Sequence, residues 1–227
     1  MNTNDPFLLR RADAAELFLI RHGDAIPEPD EIIPSGVYDN LPLSSTGRAQ
    51  ARALAERLKD IPFDAIYSSP LRRCQETAVP LAEQLHLTPI LVEDIKEVRL
   101  GNPFPLPQFQ QGDKLDALTK ALHQRQHEIV RRAAAAGSWN AVSNSEPSKA
   151  FRQRVVNAMN GIVRECIGKR VLIFVHGGVI NAYAAEVLGL EADFFFPCAN
   201  TSITMIRAST EHRVLYTLND VGHLKLS

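Results

Sequence analysis

The chain has 227 residues, 45% of them hydrophobic, with 25 basic and 26 acidic side chains and a formal net charge of −1. That size and apolar content suffice for one buried core with an inserted cover, so residues 1–227 are expected to form a single domain. The balanced charge argues against a nucleic-acid partner or a membrane-surface role, which call for a basic excess.

Met1 to Ala15 is mostly polar, and the apolar run that follows is too short for a signal core or a membrane span. Cys74, Cys166 and Cys198 are scattered, with neither metal-ligand spacing nor a disulfide framework. Both observations point to a cytoplasmic protein.

Leu17-Phe18-Leu19-Ile20 reads as a buried strand of a parallel sheet and ends abruptly in Arg21-His22-Gly23-Asp24. Residues 24–43 form a proline-bearing loop, long enough to suggest a functional one. Ser44 or Ser45 caps a helix running to about Lys59, with Ala51, Leu54, Ala55 and Leu58 on its apolar face. Phe63–Tyr67 is the second strand. A helix begins around Pro70, carries Arg72 and Arg73, and ends near Leu87. Ile90–Val92 is a short third strand leading to Glu97 and Gly101. Residues 102–107 are too rich in proline for a helix or a central strand. A helix over 113–136 and a polar loop follow, and 102–146 together reads as an insertion covering the site. Another helix spans about 148–167.

Val171–Val175 is the clearest strand, continuous and β-rich, and it ends in His176-Gly177-Gly178 before a helix to Leu188. Residues 202–207 and 213–218 close the pattern as two strands. Strands alternating with helices predict a doubly wound α/β fold, a mostly parallel sheet flanked by helices with right-handed crossovers.

Ligands in open α/β sheets bind beyond the carboxyl ends of the strands. Three such ends carry suitable chemistry here: Arg21-His22-Gly23, the segment through Arg72 and Arg73, and His176-Gly177-Gly178. An arginine fork matches phosphate, a glycine lets backbone N–H groups approach an anion, and helix N-termini add favourable dipoles. An imidazole nitrogen of His22 could attack a phosphoryl group in line while arginines and His176 neutralise its oxygens. Neighbouring arginines disfavour protonation of His22. Protein cations suffice for this scheme, so no cofactor or metal is called for. Glu97 is the candidate to protonate the leaving alkoxide and then to activate water.

These residues resemble the histidine phosphatase superfamily, the phosphoglycerate mutase-like fold. Its Arg-His-Gly signature matches Arg21–Gly23, its helix start matches Leu43, Gly47, Gln50 and Ala51, and its Ser-Ser-x-Leu-x-Arg segment matches Ser68, Ser69, Leu71 and Arg73. The resemblance makes Arg73, not Arg72, the second phosphate arginine. It gives Glu97, followed by Gly101, the acid/base role, and makes His176 the second pocket histidine. Asn200–Thr204 and Asn219–Leu224 resemble the family's closing strands. The family's usual acidic tail after Gly101 is replaced by Asn102-Pro103-Phe104-Pro105, Asp24 stands where Glu, Gln or Thr is common, and Cys74 stands where alanine is usual.

The resemblance implies a phosphomonoester hydrolase working through phosphohistidine on His22, with a small-molecule phosphomonoester as substrate. Site residues are then His22, Glu97 and His176 for catalysis and Arg21, Arg73, Gly23 and Gly177 for phosphate. A mutase-type isomerase, a non-catalytic phosphate-binding module and a phosphoprotein phosphatase remain alternatives. Arg72 reads as a surface cation, and His123 and His127 as a solvated helix face instead of a metal pair. Gly168-Lys169-Arg170 precedes a strand and lacks Ser or Thr, so it is no phosphate loop. Phe194-Phe195-Phe196 reads as core; a homodimer through this run is the one oligomeric expectation.

Overall fold

The central strand, β1 (Ala15–Arg21), alternates its side chains between two cores. A computed structural model describes residues 12–26, 40–101 and 115–224. Leu17 and Leu19 point to one face of the sheet, Phe18 and Ile20 to the other. β2 (Ala65–Ser68), β3 (Ile90–Leu91) and β4 (Arg170–Val175) join it in parallel, while β5 (Ile203–Ala208) and β6 (Arg213–Asp220) complete one mixed sheet, in the order β3-β2-β4-β1-β5-β6. β5 runs antiparallel to both β1 and β6. The expected parallel character therefore holds for β3 through β1, and the closing pair is an antiparallel edge.

Helices cover both faces. α1 (Ser45–Leu58) and α2 (Arg72–Leu85) bury Leu54, Leu58, Ala78 and Leu81 against Phe18, Ile20, Leu172 and Phe174. α4 (Ser148–Glu165) and α5 (Gly177–Leu188) bury Phe151, Val155, Met159 and Tyr183 against Leu17, Leu19, Val171 and Ile173. Ile129 and Ala133 of α3 (Leu115–Ala136) join that second core. α2 begins two residues after Pro70, since Leu71 is still extended. No helix among the described residues is long and apolar enough to cross a membrane.

Register is pinned by a buried acid. Glu16, 1% exposed, stands opposite Arg170 on β4 and Arg207 on β5, and pairs with both at 2.7 and 2.9 Å. A one-residue slip of either neighbour would leave this carboxylate buried and uncompensated. Most of the 24–43 loop (27–39), the proline-dense run at 102–107 and the first residues of the 113–136 helix lie outside the described residues.

Candidate active site

Three parallel neighbours, β2, β4 and β1, end at one level. Arg21 pairs with Val175, and Ser68 with Phe174. The next residues stay in register: His22 N–H donates to Val175 O and Ser69 N–H to Phe174 O. Three chemically loaded segments, far apart in the sequence, therefore emerge together at the carboxyl edge.

His22 is 9% exposed, and its Nδ1 lies 2.7 Å from Gly23 O. A carbonyl only accepts, so Nδ1 carries the proton and Nε2 the lone pair. Burial first, then Arg73 and Arg21, hold the ring well below its usual 6.5, against the pull of the Gly23 carbonyl. Asn200 steadies the same turn by donating to His22 O at 3.1 Å.

The helix-start residues also have a physical role. Gly47 lies against the turn after His22: a Cβ there would sit 2.0 Å from Asp24 O. A Cβ on Gly23 would sit 2.8 Å from Gly47 O. Gln50 Oε1 accepts from Asp24 N–H, and Ser44 caps α1 while donating to Asp24 Oδ2. Two glycines thus let α1 dock directly on the His22 turn. Gly23 N–H donates to Thr77 Oγ1 at 2.9 Å. Thr77 in turn donates to Arg73 O, tying α2 to β1.

His176 is fully buried. Its Nδ1 lies 3.2 Å from Arg73 Nη2, and its Nε2 lies 2.8 Å from Ser69 Oγ. Guanidinium only donates, so Nδ1 accepts and Nε2–H donates to Ser69. Burial, then Arg73, His22 and Arg21, push its pKa well below 6.5. In this geometry His176 accepts from Arg73 and orients its guanidinium. The two imidazoles meet edge to face at 5.2 Å. Arg21 donates through Nη1 to Cys198 O, while its Nε is buried without a hydrogen-bond partner. Such a donor calls for an anion.

Glu97 follows a 3₁₀ turn, Glu93–Ile95, and its carboxylate accepts from Val98 N–H at 3.0 Å and Gly178 N–H at 3.2 Å. Burial raises its pKa above the usual 4.5, opposed by those N–H groups, Arg73 and Arg21. Arg154 on α4 anchors this segment, donating to Asp94 O and Lys96 O at 2.7 and 3.0 Å and pairing with buried Glu146 at 2.7 Å. The tight glycine of the pair after His176 is Gly178, which faces Glu97 and Trp139; Gly177 has ordinary contacts with Cys198 and Arg21.

His22, Arg21, Arg73, Glu97, Gly177 and Gly178 line one cavity of about 760 Å³, with Trp139, Asn200 and α3 side chains completing its wall. The sequence reading assigned no role to Ser69, Thr77, Trp139, Gly178 or Asn200. Ser69, Gly178 and Asn200 lie inside quoted motifs, and Trp139 is the chain's single tryptophan; Thr77 carried no local signal. Arg72 pairs with Glu76 on the surface, and His123 and His127 are exposed. Among the described residues no group of three His, Cys, Asp or Glu could hold a metal.

The family model of the histidine phosphatase superfamily (branch 1) matches residues 17–221, and the chain belongs to that superfamily. A probable phosphatase of Schizosaccharomyces pombe is 29% identical over 92% of this chain and 95% of its own length. A metal-independent phosphoserine phosphatase of Arabidopsis thaliana is 25% identical over 94% of this chain and 84% of its own. The crystal structure of a Bacillus anthracis phosphoglycerate mutase shares the fold, with a TM-score of 0.66 at 23% identity over 93% of this chain and 96% of that one. The protein is a phosphoric monoester hydrolase.

Proposed function

We propose that the enzyme hydrolyses small phosphomonoesters through a covalent phosphohistidine on His22, without a metal. The observation that carries this reading is the Nδ1–Gly23 contact, which leaves the Nε2 lone pair free on a neutral ring facing the cavity. Arg21 and Arg73 bind the phosphoryl oxygens and stabilise the charge of the in-line transition state. Nε2 forms a bond to phosphorus as the ester P–O bond breaks. Glu97, whose pKa burial raises, gives its proton to the departing alkoxide. Water then attacks phosphorus, Glu97 takes its proton back, and the N–P bond breaks to release phosphate. Gly23 O steadies the cationic ring during both steps. His176 keeps Arg73 aligned. We read α3 as part of the cover of this site, since its side chains form one wall of the cavity.

Isomerase chemistry needs a cluster of free cations for a second phosphate, more than Arg125 alone supplies. Lys96 and Arg99, at the cavity wall, are each paired with a carboxylate, Glu93 and Glu146. A cytoplasmic setting fits three buried free thiols.

The test is phosphate release from a panel of monoesters without added metal, for the wild type and His22→Ala, with acid-stable or base-stable label on the protein followed during turnover. Release and base-stable labelling that both vanish in the mutant support the reading. Release undiminished in His22→Ala would overturn it.

A further inference from the structure

The cavity is far larger than a phosphoryl group needs. At about 760 Å³ it lies within the range of roughly 300–1,000 Å³ that holds drug-sized ligands. Beyond the phosphate residues its wall is mainly apolar, with Leu71, Leu122, Ile129 and Phe194 among the contributors. A three-carbon amino acid ester would leave that wall wet and unused.

Some of the donors set in this wall have no acceptor. Among the described residues, a few buried side-chain polar atoms lack a hydrogen-bond partner. Three of them, Arg21 Nε, Arg125 Nε and Trp139 Nε1, belong to residues lining this cavity. Arg21 is accounted for by the phosphoryl group. Arg125 and Trp139 are not. Lys96 and Arg99 have carboxylate partners, whereas no described carboxylate pairs with Arg125. Arg125 sits one helical turn before Ile129, so its cation stands at the edge of the apolar wall of α3. Trp139 is 4% exposed and converges with Glu97 on Gly178, close to where the ester leaves.

We propose that the preferred substrate is the phosphate ester of an apolar, aryl-sized alcohol that carries a carboxylate remote from the phosphate. Arg125 binds that carboxylate, the α3 wall and Phe194 cover the carbon body, and Trp139 donates to an acceptor on the leaving side. This rests on the phosphatase reading and names its substrate class. An acceptor-rich but wholly polar substrate would satisfy the donors and waste the wall; a plain apolar ester would fill the wall and leave Arg125 unpaired. Only the combination satisfies both.

The experiment compares phenyl phosphate, 3-(4-phosphonooxyphenyl)propanoate and phosphoserine as substrates of the wild type and of Arg125→Met, which keeps the apolar stem. The same variants are titrated calorimetrically with the non-hydrolysable phosphonates of the two aryl ligands, so that binding is read without turnover. The aryl carboxylate should exceed both other esters in kcat/KM by about tenfold or more, and its phosphonate should bind tighter by a similar factor. Arg125→Met should remove that advantage through KM while leaving phenyl phosphate within about twofold. A preference for phosphoserine, or equal losses on both aryl ligands in Arg125→Met, would overturn the proposal. Selective phosphonate binding without hydrolysis of any ester would sustain the subsite and sink the phosphatase reading; hydrolysis of all three esters at similar rates would do the reverse.

Discussion

Gly178 and Glu97 occupy the same space. A Cβ on residue 178 would lie 2.2 Å from Glu97 Oε1 and 3.0 Å from Trp139 Cζ2, while the Gly178 N–H donates to Glu97 Oε2 at 3.2 Å. The missing side chain is what lets a carboxylate settle against the first turn of α5. That position is also poorly hydrated, which is why the acid holds its proton above the ordinary range. One glycine therefore serves both the geometry and the acidity of the proposed proton donor.

Gly178→Ala should separate proton transfer from phosphate binding. The atoms nearest the added methyl belong to Glu97 and Trp139, so it evicts the Glu97 carboxylate first. General acid catalysis is worth roughly 10²–10⁴, so kcat for an alkyl phosphate should fall by about a hundredfold. An aryl ester with a good leaving group, such as p-nitrophenyl phosphate, needs little protonation and should lose far less. Steady-state kinetics on the two esters check this; equal losses would detach Glu97 from leaving-group protonation.

The pH profile carries the same division of labour. His22 must be neutral to attack, and its pKa is lowered, so activity should fall only on acidification well below 6.5. Glu97 must be protonated to act as acid, and its pKa is raised, so activity on alkyl esters should fall as pH rises through a value above 4.5. The ester's own second ionisation, near 6, overlays both limbs. Glu97→Gln isolates the enzyme's share. It should lower the rate on alkyl esters and abolish the enzyme's alkaline limb while leaving the acid limb of His22 in place. A profile of log kcat/KM against pH for both proteins decides; an alkaline limb unchanged in the variant would assign it elsewhere.

Much of this site was legible because its chemistry is written in short segments. Arg21-His22-Gly23 and His176-Gly177-Gly178 each follow an unmistakable apolar strand, and parallel pairing of β1 with β4 brings them side by side. The Leu43, Gly47 and Gln50 spacing was readable too, and the docking of α1 on Asp24 gives it a cause. What escaped the sequence are contacts between distant segments. The Gly23 N–H meets Thr77, 54 residues on, a contact that no local pattern announces. His176 gives no local sign that it accepts from Arg73 and donates to Ser69. Trp139 has no local signature at all; it reaches the cavity because a 3₁₀ turn after α3 packs it between Phe151 and Phe194.

Arg154 is the clearest case of a residue acting through another. It sits on α4, outside the cavity, yet it holds the carbonyls of Asp94 and Lys96 and pairs with Glu146, which is 2% exposed in its side chain. Arg99 also meets Glu146, but from a side chain that is 78% exposed. Arg154→Met should therefore strand a buried carboxylate with only a solvent-facing partner, costing about 3 kcal/mol. Adding Glu146→Gln should recover most of that stability, because the buried charge is gone. It should not recover kcat, because the carbonyl anchors of the Glu97 segment remain lost. Urea unfolding and alkyl-ester turnover on the single and double variants give the two readouts. Joint recovery of stability and kcat in the double variant would reduce Arg154 to a charge partner; recovery of stability alone would identify it as the residue that holds Glu97 in position.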